Sequence, residues 1–253
     1  MKPRNILVAT MLLISIASCK KDAPEPQSPF NGRTTAQFNP KKEYGTVTDI
    51  DGNEYKTIRI GEQEWMAENL RVTHYQNGDC ITKIDYRLDS DSLNYGVFFR
   101  STENIDTIAT YGLLYDWKAA NDERNIAPKG WRIPNANDWG KLGAYFGNYY
   151  DRSYSDLDVL LFIISDSITG LKLKEKGNLH WKNNPDSPFL NISGFTALPV
   201  SKDTDDAYYW IKDRKDTDTT AYVYGCGGIM AGGIDAWYTY NKLLPIRCIK
   251  IKH

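Results

Sequence analysis

Cysteine and histidine are scarce: four cysteines and three histidines in 253 residues. A structural zinc site needs four such ligands at short spacings, and no Cys-x-x-Cys or Cys/His cluster occurs. His74, His180 and His253 stand far apart, and no Gly-x-Ser-x-Gly elbow, His-Glu-x-x-His helix or lysine-bearing phosphate loop is present. The glycines at 225, 227, 228, 232 and 233 precede no clear helix and read as a loop tip. The expectation is therefore a chain that is not an enzyme, with no cofactor and no metal. Charge of one sign is also lacking. With 31 Lys and Arg against 32 Asp and Glu, the net charge is −1, which excludes the basic excess of a nucleic-acid binder. No apolar run reaches the roughly 20 residues that a membrane-spanning helix needs.

What the chain has is aromatic side chains: Trp 7, Tyr 17 and Phe 8. Tyr and Trp join an apolar body to a polar tip, so they serve both cores and wet binding surfaces. Acidic clusters such as Asp203, Asp205 and Asp206 read as solvated turns.

The N-terminus reads as an address. Lys2 and Arg4 precede the apolar run Ile6–Ile16, and small residues follow in Ile16-Ala17-Ser18-Cys19. That order resembles the lipobox of bacterial lipoproteins, which implies cleavage after residue 18 and lipidation of Cys19. The lipid would be the contact with the membrane. Residues 19–44, with Pro24, Pro26, Pro29 and Pro40, read as a flexible tether, and residues 45–253 as the folded domain. The Lys20-Lys21-Asp22 start of the tether resembles the charged export signal of Bacteroidota surface lipoproteins, implying an outer-membrane location facing the cell exterior.

Within the domain, two β-prone runs flank Asp51-Gly52, so residues 47–61 predict a hairpin with a two-residue turn. Asp49, Asp51 and Asn53 mimic the start of a calcium loop, but Ile60 occupies the twelfth position where a glutamate is required. Residues 62–70 then carry Trp65 and Leu70 inward.

From here the chain resembles the Fibrobacter succinogenes major paralogous domain. The resemblance rests on five blocks in order: Asp49–Leu70, Tyr111-Gly-Leu-Leu-Tyr-Asp-Trp-Lys-Ala-Ala, Ala127-Pro-Lys-Gly-Trp-Arg-Ile-Pro-Asn-Ala-Asn-Asp-Trp, Ser193-Gly-Phe-Thr-Ala-Leu-Pro and Ile246-Arg-Cys-Ile-Lys. It implies an α+β fold of C-type lectin-like kind, with two helices, a small distorted antiparallel sheet and long loops. The residues themselves predict one helix near 112–121 and a second started by Asn135, with Trp139, Leu142 and Phe146 on one face. Residues 156–168 fit a buried strand or a helix, and residues 75–110 read as an insertion. Short β runs are expected at 195–199, 207–211, 221–224, 236–240 and 246–251.

The resemblance also implies a cysteine before the Pro-x-Gly-Trp element, paired with the closing strand. Ala127 stands there instead. Cys80, Cys226 and Cys248 allow at most one bridge, either Cys226 with Cys248 or none, with all three as free thiols. The calcium- and sugar-binding triplets of C-type lectins are absent. Binding then falls to aromatics after residue 207: Tyr209 and Trp210 are assigned to the core, and Tyr208, Trp237, Tyr238 and Tyr240 to a ligand surface. The expected function is capture of an extracellular glycan or peptide. The alternative is an accessory subunit docked on an outer-membrane nutrient transporter or surface assembly.

Overall fold

The computed structural model describes residues 28–84, 95–147, 167–212, 221–227, 233–238 and 242–252, with side chains omitted for 167, 168, 221–227 and 233–238. Strands β1 (Gly45–Thr48), β2 (Glu54–Ile60) and β3 (Gln63–Met66) open the fold, and β11 (Ile249–Lys250) closes it. Together with β7 (Trp131–Arg132) they form a five-stranded antiparallel sheet in the order β1-β2-β3-β11-β7. The two ends of the domain thus meet in one sheet. A second antiparallel sheet holds β8 (Asp206–Trp210), β9 (Ala221–Gly227) and β10 (Gly233–Tyr238). A third holds β4 (Thr82–Ile84), β5 (Val97–Phe99) and β6 (Leu114–Tyr115), with β4 parallel to β5.

Neighbouring residues feed opposite cores, as the two-residue period of a strand requires. Tyr55, Met66, Trp131, Trp210 and Cys248 enter one cluster. Ile58, Trp65, Trp139, Tyr209 and Ile249 enter a second. The main sheet is covered on both faces, which is why so many aromatics are absorbed. Trp65, Trp117, Trp131 and Trp139 are all buried.

The predicted hairpin forms, but with a five-residue loop. Thr48 pairs with Glu54, and the Asp49 carboxylate accepts from the amides of Asp51 and Asn53. Turn chemistry accounts for these residues, with Gly52 at a left-handed φ of +73°. The helix expected near 112–121 is broken. The described residues hold four helices, not two: α1 (Ile105–Tyr111), α2 (Trp117–Asn121), α3 (Ala136–Tyr145) and α4 (Ser167–Leu173). Gly112 ends α1 at φ +77°, where an added Cβ would sit 2.7 Å from Asn69 and Leu70, and Leu113 then donates to the Leu70 carbonyl. Asp116 restarts the helix by accepting from the Ala119 amide. The predicted run 195–199 forms only an isolated bridge between Lys174 and Ala197. Most of 156–168 lies outside the described residues.

The tether is shorter than expected, because residues 28–44 lie against the domain. Asn31 donates to the Gly52 carbonyl at 2.9 Å, and Asn39 donates to the Asn191 carbonyl at 2.8 Å. The Thr35 hydroxyl lies 2.9 Å from His180 Nε2, whose Nδ1 is 2.8 Å from the buried Glu175 carboxylate. His180 is therefore not isolated, and neither is His74, which pairs with Asp51.

The Cys226–Cys248 bridge is not formed. Cys248 is a free thiol buried in the first cluster, and burial pushes its pKa well above the ordinary thiol value. Cys226 stands opposite Ala207, whose side chain belongs to the second cluster. Cys80 is free and exposed. Ala127 occupies the first cluster together with Cys248, where the resemblance implies a bridge.

A cleft between the second hairpin, the third helix and the C-terminal strand

The β2–β3 connection is the two-residue loop Gly61-Glu62, between paired Ile60 and Gln63. Gly61 takes φ +59°, the first-position glycine that matches the twist of a tight hairpin. Helix α3 approaches this loop from a fixed start. Asn135 and Asp138 cap it reciprocally, each side chain accepting from the other's backbone amide. Asp138 also takes both Nη groups of Arg132 on β7, at 2.6 and 2.9 Å, and its carbonyl accepts from Gln63 Nε2 at 2.9 Å. Trp139 then locks the helix against Trp65, Phe195 and Tyr209, with ring centroids 4.7, 5.8 and 6.0 Å away.

With Trp139 and Leu142 inward, Lys141 and Tyr145 lie one turn apart on the outer flank. Tyr145 is 61% exposed. Its ring lies on the Gly61 backbone: a Cβ built at Gly61 would be 2.8 Å from Tyr145 Cδ2. Phe146 braces the ring edge-on at 5.1 Å. Between the loop, the helix and the C-terminal residues 249–252 is a cleft of about 820 Å³.

The cleft wall is polar and mostly ion-paired. Lys252 pairs with Glu62 at 3.0 Å, Lys250 with Glu64 at 2.7 Å, and Arg132 with Asp138. The hydrogen bond from Lys252, with Lys141 and Arg59 adding weaker attraction, holds Glu62 below the usual carboxylate range. Such a surface can hold a ligand with one flat apolar face and a polar rim.

Of the residues expected to bind, only Tyr208 has a described side chain. Tyr208 is half-buried on β8 and packs against the first cluster, outside the cleft. Tyr209 and Trp210 are fully buried, as assigned. Trp237 and Tyr238 fall in β10, and their side chains, like Cys19 and Tyr240, lie outside the described residues. Tyr145, Lys141 and Gly61, which line the cleft, were not singled out by the sequence reading. The available signal was a tyrosine off the apolar stripe of a well-marked helix.

The family model of the Fibrobacter succinogenes major domain matches residues 58–250. The chain belongs to this family. No curated protein and no solved structure gives a significant match. In this Fibrobacter succinogenes major domain the match takes in the loop at Gly61, the whole of α3 and strand β11, so the cleft is built almost entirely from family sequence.

Proposed function

We propose that this Fibrobacter succinogenes major domain is a non-catalytic binding module that holds an extracellular glycan or peptide in the cleft beside Tyr145. The observation that carries the reading is the exposed Tyr145 ring on Gly61, at the edge of an 820 Å³ cleft. The exposed ring is carried on a capped, Trp-anchored helix, which gives a stiff platform. A C-type lectin-like arrangement is supported by the sheet that joins the first strands to the last and by the long connections between short elements. The basic, apolar and small-residue order ending at Cys19 supports a lipid anchor, and the Lys20-Lys21-Asp22 that follows supports outward display on the outer membrane.

The test is calorimetric titration of the wild-type chain and Tyr145→Ala against a panel of oligosaccharides and peptides. The reading expects at least one member to bind the wild type and to lose about tenfold or more with Tyr145→Ala. Binding that is indifferent to Tyr145 contradicts it. The docked-subunit alternative predicts instead a stable transporter partner recovered from native membranes and no ligand in the panel.

A further inference from the structure

Four cations line the cleft, Arg132, Lys141, Lys250 and Lys252, against two carboxylates, Glu62 and Asp138. Both carboxylates already have a cation: Glu62 has Lys252, and Asp138 has Arg132. Lys250 is satisfied by Glu64. Lys141 differs. Among the described residues it makes no ion pair, and it lies exposed on the turn of α3 that leads to Tyr145. A side chain four residues before another on a helix points along the same flank, about 5–6 Å away at Cβ. The cleft thus offers one ammonium outside any ion pair, with only a weaker attraction to Glu62, beside one exposed aromatic face.

We infer that the ligand is an acidic sugar: a uronate whose ring stacks on Tyr145 while its carboxylate pairs with Lys141. The inference rests on the cleft being the binding site and adds the charge of what it binds. A pyranose ring presents a patch of C–H groups to an aromatic face and hydroxyls to its rim. That matches Tyr145 flanked by Gln63, the Gly61-Glu62 backbone and the lysines. An apolar peptide side chain needs a deep apolar pocket. Here the apolar lining is confined to Ile60, Ala144, Ile249 and Ile251 around a charged wall. A carboxylate-bearing ligand also leaves the three existing ion pairs intact, whereas a cationic one would have to compete for Glu62 or Asp138.

The test uses the full chain titrated with an oligogalacturonide and with its methyl ester, which keeps the ring and removes the charge. Lys141→Met and Tyr145→Ala are run in parallel, with polyglutamate as the acidic peptide control. The acid form should bind about tenfold more tightly than the ester, the scale of one charge-assisted hydrogen bond. Lys141→Met should erase that difference without unfolding the chain, Tyr145→Ala should weaken both forms, and raising salt should weaken the acid form alone. Equal binding of acid and ester, or an acid preference that survives Lys141→Met, overturns the acidic inference and leaves the cleft standing. Binding unaffected by Tyr145→Ala overturns the cleft itself. Polyglutamate binding that depends on Lys141 but not on Tyr145 overturns the sugar in favour of an acidic peptide. No binding of the oligogalacturonide overturns the inference outright.

Discussion

Two aromatic neighbourhoods in this molecule have opposite fates. On β8, Tyr208, Tyr209 and Trp210 stand in one strand whose successive side chains point to opposite faces, and both faces are covered. Tyr209 enters the second cluster, Trp210 the first, and Trp210 donates its indole N–H to the Tyr115 carbonyl at 2.7 Å. On α3, Trp139 faces the core, but Tyr145 sits off that stripe, and its ring comes to rest on a glycine of another element. On β8, aromatic density therefore marks the core. The aromatic out of phase with its own helix, Tyr145, is the one left exposed.

The comparison breaks if the two groups respond alike to truncation. Trp139→Ala should cost about 3–5 kcal/mol in urea denaturation, whereas Tyr145→Ala should stay within about 0.5 kcal/mol of wild type. A large loss at Tyr145 would place it in the core. The next effect is alkaline. Burial pushes the hydroxyls of Tyr75 and Tyr111 from the ordinary value of 10 up to about 12. A group whose pKa is raised by folding contributes stability below its unfolded pKa and loses it as pH rises through the folded one. The melting temperature should therefore fall between pH 10 and 12. The difference amounts to about 2–3 kcal/mol per group. A flat profile over that range would show that these rings are accessible. Smaller again is Asn135→Ala, which removes the cap that aims α3 and should cost about 1 kcal/mol by thermal denaturation. Gly61→Ala should cost a similar amount or less, because it strains a left-handed position and pushes an exposed ring that can move. Its sharper effect should be on ligand affinity, by displacing the Tyr145 platform.

What was legible in the sequence was local. Asp49 to Ile60 carries its own hairpin chemistry, and Asn135-Ala-Asn-Asp138 carries its own capping box. What was not legible depends on distant partners. The interruption after Tyr111 exists because Gly112 packs on Asn69 and Leu113 joins Leu70. Residues 28–44 look like a tether by composition, yet their polar side chains are satisfied by Gly52, Thr110, His180 and Asn191. The cleft is of the same kind. Gly61, Tyr145 and Lys252 come from three separate parts of the chain, and no local pattern brings them together.

The most direct test is where a ligand protects the backbone. Amide hydrogen exchange of the full chain, with and without saturating oligogalacturonide, should show slowed exchange at 60–63, 138–145 and 249–252, with none at 206–210. Protection confined to 206–210 and the neighbouring strands would contradict the account and return the binding surface to the aromatics that follow residue 207.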